Sequence, residues 1–231
     1  MKYKEVVARL EKLANAEVIE KSKRFFKSGK GDYGEHDLLL GITVPQLREQ
    51  VKLLKPLELS LCESLLNNDY HEIRMFALLM LVELYKAKDE KLKNAVFETY
   101  LNNTQRINNW DLVDCSASKI VGAHLFEGDR KPLYQLAKSN LLWERRIAIV
   151  STHFFIRQND FNDTLKLAKV LINDQEDLMH KAVGWMLKEV GKREESILTE
   201  FLDKNYQNMP RTMLRTSIEK LPKTMKESYQ K

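Results

Sequence analysis

Asn108-Asn109-Trp110-Asp111-Leu112-Val113-Asp114 reads as the start of a helix, and its place in a register of related helices decides the fold. Ala77, Val113, Ala148, Ala182 and Ser217 align at steps of 36, 35, 34 and 35 residues. Each is small or β-branched, the kind of side chain that lets neighbouring helices approach closely. A period of that length holds one helix–turn–helix pair, which buries its apolar face only when further pairs stack on it. The expectation is an all-α fold, a curved α-solenoid of helical repeats.

The same register singles out two residues. Directly after the aligned positions come Leu78, Ile149, Val183 and Ile218, but here the chain carries Asp114. A carboxylate at an apolar repeat position costs stability unless something satisfies it, which points to a functional task. Three residues before the aligned positions stand Arg74, Arg145, Met179 and Leu214, but here Trp110. Four residues apart, Trp110 and Asp114 share one helix face.

Outward from this stretch the helical period continues. Leu10, Leu13 and Ala14 mark a first helix, Leu78, Leu81, Val82 and Tyr85 another, and Ile149, Val150, His153, Phe154 and Ile156 a third. Polar breaks such as Asn67-Asn68-Asp69 and Asn102-Asn103-Thr104 separate them, and Pro45, Pro56, Pro132 and Pro210 sit near helix starts. Sustained strand-like alternation is absent and no low-complexity linker divides the chain, so residues 1–231 are expected to form one domain.

Lys and Arg outnumber Asp and Glu by 38 to 33, a net charge of +5 that suits a polyanionic partner without proving one. No apolar run is long enough to span a bilayer, and the amphipathic start lacks the features of a signal peptide. Cys62 and Cys115 have no CxxC spacing and read as free thiols of a reducing compartment, so a cytoplasmic location is expected. His36, His71, His124, His153 and His180 are scattered and make no zinc spacing with the cysteines. Neither a metal nor a cofactor is expected. Gly29, Gly31 and Gly34 read as turn residues, because the lysine–hydroxyl ending of a phosphate loop is missing.

Several longer stretches carry a resemblance. Arg24-Phe25-Phe26-Lys27-Ser28-Gly29 runs into Asp32-Tyr33-Gly34-Glu35-His36-Asp37, then Leu40-Gly41-Ile42-Thr43-Val44-Pro45-Gln46-Leu47-Arg48. Further on come Trp110 to Asp114, Trp143-Glu144-Arg145-Arg146, Ala182-Val183-Gly184-Trp185, Arg211-Thr212-Met213-Leu214-Arg215 and Leu221-Pro222. Together these resemble the AlkD family of alkylpurine DNA glycosylases, built from HEAT-like repeats, over nearly the whole chain. His36 departs from the family pattern, which commonly has Gly there.

The resemblance implies hydrolysis of the N-glycosidic bond of purines alkylated at N3 or N7, in double-stranded DNA, leaving an abasic site. It assigns Asp114 as the catalytic carboxylate, Trp110 and Trp185 as the aromatics beside the lesion deoxyribose, and Arg146, or its neighbour Arg145, as a phosphate contact. The chemistry is coherent with these residues. An alkylated purine is already cationic and leaves without a general acid. The sugar then gains oxocarbenium character that a carboxylate and indole faces stabilise. Arg48, Arg74, Arg145, Arg146, Lys181, Lys188, Arg211 and Arg215 are candidate phosphate contacts on a concave face. Neither a membrane nor an obligate protein partner is implied.

The residues alone leave other readings open. Trp110, Trp143 and Trp185 also suit core packing, Asp114 a capping or paired carboxylate, and Arg145 and Arg146 solvated positions. Phe25, Phe26, Phe154 and Phe155 read as packing groups. A non-catalytic nucleic-acid-binding solenoid and a protein-binding scaffold remain the alternatives to a glycosylase.

Overall fold

The computed structural model describes residues 1–35, 37–54 and 56–229; His36 lies outside the described residues. The fold is all-α. Among the described residues the only extended pairing is an isolated bridge between Leu38 and Tyr70. The chain forms two compact units, Met1–Ser116 and Ala117–Lys231.

The first unit contains α1 (Tyr3–Glu11), α2 (Ala16–Phe25), α3 (Val44–Leu54), α4 (Leu59–Leu66), α5 (His71–Tyr85), α6 (Glu90–Asn102) and nearly all of α7 (Trp110–Ala117). Polar residues at the breaks start these helices. Asn15 accepts hydrogen bonds from the Glu17 and Val18 N–H groups to cap α2, and Asp89 does the same for α6 with Lys91 and Leu92. Helix α5 is apolar nearly all round and packs on α3, α4 and α6, with Ile73, Phe76, Ala77, Leu78 and Leu81 wholly buried. An element with no polar stripe has to sit at the centre.

The connection between α2 and α3 carries most of the family-like signature and is held by an unusual anchor. Glu72, 3% exposed on α5, accepts hydrogen bonds from the backbone N–H of Leu40 (2.9 Å) and Gly41 (2.7 Å). Gly41 adopts φ +75°, and a Cβ there would lie 2.2 Å from the Asn15 carbonyl oxygen. Only glycine fits both the backbone and the space.

After α7 the chain passes through a π turn, Ser118–Gly122. The second unit then contains α8 (Ala123–Leu125), α9 (Lys131–Leu136), α10 (Leu142–Arg157), α11 (Asn162–Val170), α12 (Asp177–Arg193), α13 (Glu195–Asn205), α14 (Arg211–Ser217) and α15 (Lys223–Ser228). Here α10 and α12 pack together and form the centre, with α11, α13 and α14 against them. Gly122 permits a close approach: an added Cβ would meet the Ser151 carbonyl oxygen of α10 at 2.2 Å.

The register of small residues is realised in three dimensions. Ala77, Val113, Ala148, Ala182 and Ser217 lie on α5, α7, α10, α12 and α14, and none is more than 1% exposed. Leu78, Ile149, Val183 and Ile218 are buried as well, whereas Asp114 at the matching position is partly exposed. Both cysteines are free. Among the described residues no helix is long and apolar enough to cross a membrane.

Candidate active site

Helix α7 turns Leu112, Val113 and Ser116 inward and leaves Trp110 and Asp114 partly exposed, one turn apart. Behind it stands Tyr100 of α6, fully buried, whose hydroxyl pairs with Ser116 Oγ at 2.9 Å. Burial pushes the Tyr100 phenol up, and the nearby Asp114 charge adds to the effect. The carboxylate thus sits at the edge of a buried interior, one helical turn from an indole.

Trp110 is held on its inner side by the end of α2. The Phe25 ring meets it edge-on at 5.0 Å between centroids, and Phe26 lies at 6.2 Å. Phe26 in turn lies over the His71 ring at 4.5 Å. Phe25 departs from its expected packing role, being 62% exposed at the end of α2, with ring contacts to Trp110 and Phe26.

Beneath Trp110 is a buried polar cluster that helix spacing does not reveal. His71 Nε2 lies 2.9 Å from Asp111 Oδ2 and Nδ1 lies 3.3 Å from Asp37 Oδ2. The Arg74 guanidinium donates to Asp37 Oδ1 at 2.5 Å and to Asn108 Oδ1 at 3.0 Å. Burial opposes the Asp37 charge, but the His71 hydrogen bond and the Arg74 charge prevail and hold its carboxyl at about 2. Burial likewise opposes the His71 cation, and the hydrogen bonds to Asp111 and Asp37 outweigh it, raising the imidazole to about 9. The signal in the sequence is Asn108-Asn109 and Asp111, three hydrogen-bonding residues around one tryptophan. Their partners, however, are 34 to 72 residues away.

This cluster gives Arg74, a candidate phosphate contact in the sequence, partners inside its own unit. Its side chain is 2% exposed and, besides Asp37, donates to the Asn68 and Asp69 carbonyls at the turn before α5. Arg145, at the same register position of α10, does the same in the second unit. It donates to the Ser139 and Asn140 carbonyls and pairs with Asp174 at 2.7 Å. A guanidinium reaching back over the preceding turn satisfies carbonyls that a helix pair leaves without partners. Both arginines are hydrogen-bonded inside their own units.

In the second unit Trp185 of α12 is half-buried. Its indole N–H donates to Glu189 Oε1 at 3.2 Å, and the His153 ring lies at 5.7 Å. Burial lowers the His153 pKa, favouring a neutral ring beside the indole. Arg146 is 5% exposed and donates from Nη1 to the Leu178 carbonyl at 2.8 Å. Lys181 is exposed and pairs with Asp177, and Lys188 pairs with Glu219. Arg211 and Arg215 are exposed and line a cleft of about 470 Å³ together with Tyr206, Met209, Leu214 and Tyr229. Among the described residues neither has a hydrogen bond or ion pair, and the same holds for Arg48 on α3 of the first unit. The described residues include no group of three or more His, Cys, Asp or Glu placed to hold a metal ion.

An all-α repeat protein with a partly exposed carboxylate at an otherwise aliphatic register position, one turn from a partly exposed indole, defines a class, helical-repeat proteins that carry a polar site on one repeat. The chain belongs to the DNA alkylation repair enzyme family, whose family model matches residues 6–221. A solved structure described as a predicted DNA alkylation repair enzyme from Enterococcus faecalis is similar to it, with a TM-score of 0.71 and 17% identity. The similarity covers 91% of this chain and 97% of that one. No curated protein matches the chain.

Proposed function

We propose that the chain is a monofunctional DNA glycosylase that hydrolyses the N-glycosidic bond of cationic N3- or N7-alkylated purines in duplex DNA, leaving an abasic site. The observation that carries the reading is the partly exposed Asp114, beside Trp110, at a register position closed by aliphatic side chains in the other repeats. Family membership supports the same biology.

The alkylated base supplies its own positive charge, so departure needs no proton donor. Asp114 stabilises the cationic sugar as the bond lengthens and orients the water that attacks the anomeric carbon. The Trp110 face attracts the same developing charge through its ring quadrupole, and the resemblance assigns Trp185 an equal task. A neutral purine leaves poorly, so stabilising the sugar alone discriminates against undamaged DNA. Phosphate contacts are proposed for the exposed Arg48, Lys181, Arg211 and Arg215, and the resemblance assigns one to Arg146, whose Nη1 donates to the Leu178 carbonyl.

Incubation with duplex DNA containing N7-methylguanine is expected to release free 7-methylguanine. Asp114→Asn is expected to slow release by ~10²–10³-fold, the scale of losing one preorganised electrostatic contact, with duplex binding retained. Equal release by that variant would remove the assigned role. Salt-sensitive duplex binding with no release at all would identify a non-catalytic binder instead.

A further inference from the structure

His71, the first residue of α5, is 1% exposed, and each of its ring nitrogens faces a carboxylate oxygen. Ionised carboxylates only accept hydrogen bonds, and a neutral imidazole has a single N–H. Both contacts therefore form only when both nitrogens carry protons. The geometry itself describes an imidazolium bridging Asp37 and Asp111.

What this bridge holds is the opening of α7. Asp111 uses Oδ2 for His71 and Oδ1 to accept from the Leu112 N–H at 2.9 Å. The Asn108 amide donates to Asp37 Oδ1 at 3.1 Å, and the Asn109 amide reaches Asp37 Oδ2 at 3.4 Å. The Trp110 N–H donates to Asn109 Oδ1 at 2.8 Å, while Phe26 covers the imidazole and adjoins the indole. Backbone and ring of Trp110 thus both lean on groups anchored to His71, and Asp114 follows one turn later.

We propose that the His71 imidazolium is a positioning group for Trp110 and Asp114, so that losing its proton loosens the first turn of α7 and sets an alkaline limit on base release. The charged groups involved are Asp37 from the connection after α2, Asp111 from α7 and Arg74 from α5 itself; Arg106, from the turn before α7, acts on Arg74. Without the His71 proton, two buried carboxylates share one cation and one of them faces a ring lone pair. Such a site relaxes by moving a carboxylate, and Asp111 lies within the first turn of α7. The Asp114 carboxylate adds no alkaline limit, and the alkaline titration of the alkylated base itself is common to wild type and His71→Gln. The limit on release rests on the glycosylase reading; the movement of Trp110 does not.

The experiment has two readouts on the full chain. Tryptophan emission is followed from pH 6 to 10.5 in a Trp143→Phe/Trp185→Phe background that leaves Trp110 as the reporter, and single-turnover base release is followed over the same range with Trp143 and Trp185 intact. The expected result is a one-proton change in emission near pH 9 and a release rate that falls about tenfold per pH unit above it. His71→Gln is expected to abolish the emission change and to release base ~10–100-fold more slowly, with only the pH dependence that the base itself brings. His71→Gln/Asp111→Asn restores a donor and an acceptor between neutral side chains; it is expected to recover rate at neutral pH and still lack the alkaline limit. An emission change that persists in His71→Gln, or a wild-type imidazole that titrates near its ordinary value by NMR, overturns the proposal. The NMR readout needs no folded variant. If no form releases base yet the emission change follows His71, the glycosylase reading fails and the positioning role stands.

Discussion

A carboxylate beside a departing cationic base works through charge, so its neighbours matter by what they do to that charge and to its position. In the proposed mechanism Trp110, one turn before Asp114 on α7, is such a neighbour. Trp110→Ala removes a cation–π contribution of about 0.5–2 kcal/mol, which predicts release slowed by ~2–30-fold. Trp110→Phe keeps a ring face and is expected to retain most of the rate. Matched single-turnover rates for the two variants separate ring electrostatics from simple occupancy. Asp114 is legible in the sequence because its four register partners are aliphatic. Glu189 and His153 beside Trp185 are not, since side-chain contacts one turn away and from a neighbouring helix follow from packing, not from spacing.

At the level of elements, the register predicts which face each helix turns inward, and the buried aligned positions show why it works. Helical periodicity is a local property, so five helices align without knowledge of their partners. At Arg74 and Arg145 the register does not reveal the partners that folding supplies. Both close the turn before their helix, and the difference between them lies in burial. Arg74→Ala leaves Asp37 buried with one cation fewer and is expected to cost about 3–5 kcal/mol in denaturant unfolding. Arg145 is more exposed, so Arg145→Ala is expected to cost clearly less.

The same cluster gives the stability a pH signature. His71 is raised from 6.5 to about 9, so its contribution is complete below about 6.5 and is lost as pH climbs through 9. Asp37 is lowered from 3.8 to about 2, so its contribution is complete above about 3.8 and is lost as pH falls through 2. Together they predict greatest stabilisation between about pH 3.8 and 6.5. Thermal unfolding across pH checks this: replacing His71 by Gln is expected to flatten the alkaline side and to weaken the acid side as well, because the His71 hydrogen bond leads the effects that lower Asp37.

For the whole molecule the relevant quantity is how many cations remain available to a polyanion. The chain's net charge of +5 counts every arginine alike, but folding does not. Arg48, Arg211 and Arg215 stay uncommitted among the described residues, while Arg74 and Arg145 are spent on carboxylates and carbonyls. Duplex affinity is therefore expected to fall steeply with salt. Arg215→Ala is expected to reduce the log–log slope by ~0.9, the value of one phosphate contact, whereas Arg145→Ala is expected to leave the slope unchanged. Binding measured from about 50 to 200 mM salt distinguishes the two.

The order of residues by itself determined that this chain is built from helical repeats and that Asp114 and Trp110 stand out from them. Spacing along a helix needs no knowledge of distant segments. Tertiary structure alone decided which cations stay free and that a buried histidine supports α7. Those outcomes depend on carboxylates and carbonyls that only folding brings within 3 Å of a guanidinium or an imidazole.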